Sequence, residues 1–148
     1  MRSAPACNPR PVEDGPLPDR DQIAAIVAWE PMLRRPPAEL LEWEPSRRRD
    51  DGVIVMPYVN YSQDVLDFLR ALAGQGFIVP FDWPAWASEG MAIQEDPARL
   101  AEADLWTVVR LFTLHVRADR FSEGHLAEAI ERGWFLALLG RLRALLDG

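Results

Sequence analysis

Thirteen prolines divide this 148-residue chain unevenly: five fall in residues 1–18, eight between Pro31 and Pro97, and none follows Pro97. Proline fixes φ, lacks an amide hydrogen and breaks helix interiors, so only the last third is free to build long uninterrupted helices. The first 18 residues hold Pro5, Pro9, Pro11, Pro16 and Pro18 with almost no apolar partners. Such a segment buries too little surface to offset its ordering entropy, and a mobile leader is expected over 1–18, ahead of a single domain over 19–148.

The composition, 49% hydrophobic and 26% charged, excludes a disordered chain, a collagen-like repeat and a disulfide-stapled mini-protein. A domain of this length buries about 68–70% of the surface its unfolded chain exposes, enough for one core without a metal or disulfide. Cys7 is the only cysteine, so no internal disulfide or cysteine-based zinc cluster forms. The start of the chain lacks the apolar run of a secretion signal, and no segment approaches the roughly 18 apolar residues of a membrane span. A cytoplasmic protein follows as the expectation.

All sixteen basic residues are arginine, a usage that suggests a GC-rich bacterial genome, and the net charge is −7. An acidic chain repels phosphate backbones, which disfavours nucleic-acid binding. The charge is concentrated: residues 51–100 set Arg70 and Arg99 against Asp51, Asp64, Asp67, Asp82, Glu89, Glu95 and Asp96. That segment predicts an acidic, solvated face.

Asp19 with Gln22 predicts a capped first helix carrying Ile23, Ile26 and Val27, ended or kinked at Pro31. Residues 34–51, with several prolines and the run Arg47, Arg48, Arg49, Asp50, Asp51, read as a folded-back connector. After the Asp51-Gly52 turn pair, Val53 to Tyr61 predicts a short strand that Pro57 confines to an edge or bulge. Ser62 predicts the cap of a helix with a Val65, Leu66, Phe68, Leu69, Leu72 stripe ending at Gly74 or Gly76. A second strand over Phe77 to Phe81 would complete a small parallel unit.

From Asp96 and Pro97 onward the pattern is helical. Leu105, Val108, Val109, Phe112 and Val116 define a core face, Trp106, Leu111 and Leu114 widen it, and Arg110, Thr113 and Arg117 form the remaining polar stripe. Ser122 is expected to cap the next helix, with Leu126 and Ile130 inward and Gly133 interrupting it. Phe135, Leu138, Leu139, Leu142, Leu145 and Leu146 stripe the last. The fold expected is mainly α with a minor β element, a single compact helical domain carrying one or two short strands.

The string RADRFSEGHLAEAIERGWFLALLGRL at 117–142, preceded by PFDWPAW at 80–86, resembles a bacterial family, domain of unknown function family 6508. The resemblance covers roughly residues 50–146 and implies no reaction, cofactor or partner. It points instead to where chemistry would sit.

The densest polar constellation is the corner Arg117, Asp119, Arg120, Phe121, Ser122, Glu123, Gly124 and His125. Arginine forks hold carboxylates or phosphates in bidentate fashion, and amides at a helix start add positive potential. The competing reading is structural: arginines near one helix C-terminus, a serine cap on the next helix and Phe121 anchoring the turn. Phe81, Asp82, Trp83, Pro84 and Trp86 concentrate aromatic surface in a proline-bracketed loop, suited to a binding groove or to packing on the helices.

A metal set drawn from His115, Asp119, Glu123 and His125 lacks the spacing of a zinc signature, and His115 reads better as flanking the core. No metal and no cofactor is expected. An acid–base pair of His125 with Asp119 or Glu123 has no marked nucleophile, since no glycine-framed elbow surrounds Ser122. The helix, Gly133, helix arrangement opens its second helix with Trp134, Phe135 and Leu136, unlike a helix that reads base edges, and its short polar side does not suit a membrane surface.

The preferred expectation is a small non-enzymatic cytosolic module. It would bind a protein or an anionic small molecule through Arg117, Arg120, Glu123, His125, Trp83 and Trp86, with no nucleic acid or membrane partner. The alternative is a small hydrolase or transferase using His125 with Asp119 or Glu123, with Arg117 and Arg120 positioning an anionic substrate.

Overall fold

The computed structural model describes residues 16–148. The expected leader therefore lies outside the described residues over 1–15, Cys7 included. At its end, Leu17 already packs on the core and Pro18 is buried.

The chain opens with α1 (Arg20–Val27), followed by the single turns α2 (Glu30–Leu33) and α3 (Pro37–Leu40). The Asp19 carboxylate accepts from the Gln22 amide while the Gln22 side chain accepts from the Asp19 amide, the reciprocal cap that the sequence predicts. Pro31 falls in the first turn of α2, where its missing N–H leaves no helical bond unmade.

The segment expected to be a connector and one strand is instead a β-ribbon. Strand β1 (Leu41–Glu44) pairs antiparallel with β4 (Tyr58–Tyr61), and β2 (Arg47–Arg48) with β3 (Ile54–Val55). The pairings are nested, so one hairpin runs from Leu41 to Tyr61. Pro45 and Pro57 lie in the gap between its two ladders, where they withhold no ladder donor. At the tip Gly52 adopts φ +88°, and the Asp51 carboxylate accepts from the Val53 amide.

Helix α4 (Gln63–Gly74) follows, capped by Ser62 Oγ on the Val65 amide, and buries Val65, Phe68 and Leu72. Residues 77–81 form no strand, and the parallel unit expected there is absent. Thr113 Oγ1 donates to the Phe77 carbonyl and accepts from the Val79 amide, which gives this extended backbone side-chain partners in place of a ladder.

The aromatic stretch expected as a loop is the start of a helix, α5 (Trp83–Gln94), with Asp82 as its cap and Pro84 in its first turn. The turn α6 (Pro97–Leu100) then leads to α7 (Leu105–Ala118), α8 (His125–Glu131) and α9 (Trp134–Asp147). The molecule is thus mainly helical with a minor antiparallel β element.

Helix α7 is the centre of the core, buried continuously from Trp106 to His115. Phe112 stacks on Phe135 of α9, while Phe68 meets Phe112 and Phe135 edge-on and Phe77 meets Phe112 likewise. These offset and edge contacts suit the ring quadrupoles. Two residues of the polar stripe expected on α7, Arg110 and Thr113, are buried as well, and Arg117 is half-buried. Arg110 is 3% exposed, with its guanidinium carbon 4.2 Å from the Trp86 ring centre and 5.0 Å from that of Trp106. Aromatic faces stabilise a cation taken out of water, so this arginine is an internal tie between α5 and α7.

Gly90 permits that approach, because a Cβ there would lie 2.6 Å from the Trp86 ring and 3.0 Å from Leu114. Among the described residues no helix is long and apolar enough to cross a membrane.

Candidate functional site

The α7–α8 corner gathers most of the residues singled out in the sequence. Arg117 is half-buried, Arg120 is exposed, and neither makes an ion pair among the described residues. Phe121 is 80% exposed, and its ring centre lies 5.9 Å from that of Trp83. The first turn of α5 and the corner therefore present one aromatic surface beside two unpaired guanidinium groups. Trp86 points elsewhere: it lies against Phe81 and Arg110, so the two tryptophans expected to act together serve different surroundings.

The cap expected from Ser122 is not made. Helix α8 starts after Gly124, which has φ +92° and no side-chain cap of its own, and the Asp119 carboxylate accepts from the Leu126 amide instead. A left-handed residue lets the chain turn from α7 into α8 within a few residues, and glycine takes that conformation without Cβ strain. The Trp43 ring fills the space over Gly124, and Glu123 accepts from the Val59 amide. The β-ribbon is thereby fastened to the corner.

Both carboxylates that the sequence pairs with His125 thus hold backbone amides. Asp119 also faces Tyr61; burial first, and then this negative charge, raise the Tyr61 hydroxyl above its ordinary value.

His125 turns to another partner. Its Nε2 lies 3.0 Å from His115 Nδ1, and His115 Nε2 lies 2.9 Å from Gln94 Oε1. With the Gln94 oxygen accepting from His115 Nε2–H, His115 Nδ1 is an acceptor and His125 Nε2–H is the donor to it. The rings stack at 5.2 Å between centres, and Trp134 stacks on His115 at the same separation. His115 is fully buried; burial, then the neighbouring imidazole, push it down to about 3. His125 is also lowered, by burial, against the opposing charges of Glu128 and Asp119. The pair is neutral at physiological pH and forms a polar seam from the corner to the end of α5.

The sequence places His115 at the core but does not link it to His125, Gln94 or Trp134. The available signal is His115 itself, one imidazole between Leu114 and Val116 on a helix whose other polar residues are Thr107, Arg110, Thr113 and Arg117. Gln94 has no local signal at all. No group of three His, Cys, Asp or Glu side chains among the described residues is arranged to hold a metal ion.

No curated protein and no solved structure matches the chain. A family model does match, over residues 18–148, and it takes in the β-ribbon, the α7–α8 corner and every helix described above. The chain belongs to that family, DUF6508, a family of unknown function.

Proposed function

We propose that the chain is a non-enzymatic cytoplasmic module that binds a protein partner at the α7–α8 corner. The carrying observation is the pairing of an 80% exposed Phe121 with Trp83, flanked by Arg117 and Arg120 without ion pairs among the described residues. A large ring left in water is disfavoured by the hydrophobic effect, and aromatic residues and arginine are the side chains that most often anchor interfaces. The partner segment that fits is an apolar side chain flanked by carboxylates or phosphates, which the guanidinium forks accept.

The hydrolase or transferase alternative has less support, because Asp119 and Glu123 are engaged by backbone amides and His125 faces a second imidazole.

The test places a photo-crosslinking residue at Phe121 and, separately, at exposed Ala73 of α4 in cells of the source organism. A discrete protein adduct at 121 only, identified and reconstituted with the purified partner, supports the reading. Binding by that partner should weaken at least tenfold in Arg117→Ala/Arg120→Ala. Adducts indistinguishable between the two positions, or affinity unchanged in the double variant, would reject it.

A further inference from the structure

The β-ribbon carries most of the large apolar side chains that the fold leaves in water. Among the described residues, Trp43, Val53, Ile54, Met56 and Tyr58 of the ribbon are exposed, and only Leu66 and Phe121 join them from elsewhere. The two ladders share one register: Glu44 opposes Tyr58, Arg47 opposes Val55, and two residues on each strand lie between these pairs. The alternation of side chains therefore carries through the gap, and the ribbon has two distinct faces.

One face turns inward, with Leu41 and Val59 buried and Trp43 lying over Gly124. The other sets Glu44, Ser46 and Arg48 on one strand beside Tyr58, Met56 and Ile54 on the other. The described residues leave it uncovered: Ile54 is 55% exposed, Met56 70% and Tyr58 39%. A two-stranded ribbon is marginal unless its apolar surface is packed against something, and a contiguous apolar row rimmed by charges marks an interaction surface.

The charges on this face identify the occupant, because the face is its own complement. A two-fold axis running across the ribbon at the level of Ser46 and Met56 sets Arg48 of one copy over Glu44 of the other. The same rotation sets Ile54 over Tyr58 and Met56 over Met56, so that each charge meets its opposite and each apolar side chain another. An axis along the strands would instead set Arg48 on Ile54 and Glu44 on Tyr58, leaving both charges unmatched. Arg48 makes no ion pair among the described residues, and Glu44 Oε2 accepts from Asn60 Nδ2 while its other oxygen is left to accept.

We propose that the outward face of the ribbon pairs with the same face of a second copy of the chain, as an antiparallel, two-fold-symmetric dimer. Such an isologous contact closes on itself and stops at two copies. The footprint of roughly 20 Å by roughly 10 Å falls well below the ~800 Å² per partner of a standard interface, so the dimer is weak and concentration-dependent. The face points away from the Trp43 contact with the α7–α8 corner, and this assignment stands or fails without that of the Phe121 surface.

The experiment is sedimentation equilibrium of the full chain from about 10 µM to about 1 mM, the range over which a weak dimer forms. Reversible dimerisation is expected. Met56→Asp sets like charges together on the axis and should weaken it about tenfold or more. Arg48→Glu and Glu44→Arg should each do the same, and all three exposed positions should leave thermal unfolding of the monomer nearly unchanged. Mixed together, the two charge variants should form a heterodimer, because every charge of one then meets its opposite on the other.

A chain monomeric throughout this range, a dimer undiminished by Met56→Asp, or charge variants that fail to pair when mixed would each overturn the assignment. A photo-crosslinking residue at Ile54 that labels a different protein in cells, and never a second copy, would give the face to that protein and overturn it equally.

Discussion

Acid should loosen this protein well before its carboxylates titrate, and the His115–His125 pair makes the effect calculable. His115 is held at about 3 in the native structure against 6.5 when unfolded. Between those values the unfolded chain binds a proton that the native chain excludes, so the contribution is intact above pH 6.5 and is lost as the pH falls. The slope is about 1.4 kcal/mol per pH unit, so His115 alone should remove about 2 kcal/mol between pH 7.5 and 5.0.

His125 acts in the same direction, since it too is lowered by burial, although its half-exposed ring contributes less. Glu30, held below the usual carboxylate range by hydrogen bonds from Arg143 and Arg34, matters only under pH 4.5 and leaves this window clear.

The assay is urea unfolding at both pH values for the native chain and for His115→Gln. The variant loses the ring stack on Trp134 and starts less stable. Its difference between pH 7.5 and 5.0 should nevertheless shrink by about 2 kcal/mol. An equal difference in the two proteins would refute the reasoning, because the acid sensitivity would then reside elsewhere.

Thr113→Val strips the Phe77 carbonyl and Val79 amide of their partner, and should cost about 1–3 kcal/mol in chemical unfolding. Gly124→Ala forces a side chain into the left-handed region against the Trp43 ring; a loss of about 1–3 kcal/mol and altered tryptophan fluorescence are expected. Arg110→Ala opens the space between Trp86 and Trp106 and removes a buried cation from three rings, which should lower stability by about 2–4 kcal/mol in the same measurement. Arg117→Ala/Arg120→Ala, by contrast, should leave stability within about 0.5 kcal/mol, since neither side chain is tied to the fold.

The features readable in the sequence share one property: their partners are a few residues away. The Asp19–Gln22 cap, the Ser62 cap, the Asp51-Gly52 turn and the apolar stripe of α9 each depend on groups within one or two helical turns or one tight turn. Backbone geometry brings such groups together whatever the rest of the chain does. The mainly helical character follows from the same local signals, summed over the proline-free last third.

Three of the misreadings are non-local. Pairing of Leu41 with Tyr61 depends on two segments twenty residues apart, each of which looks like loop or isolated strand on its own. Residues 77–81 have strand-like side chains, and whether they join a ladder was decided by Thr113, thirty-six positions beyond Phe77. Arg110 is polar by type, and its burial becomes favourable only when Trp86 of α5 closes over it beside Trp106, one turn away on its own helix.

The candidate site divides along the same line. Its cations and Phe121 are contiguous in sequence and were visible there, and so was the corner that carries them. That Asp119 and Glu123 turn to backbone amides, that Trp83 rather than Trp86 meets Phe121, and that His125 reaches Gln94 through His115 were decided only by tertiary packing. Side-chain partners across a core are selected by shape and by the need to satisfy every buried donor, conditions that do not exist until the helices have closed on one another.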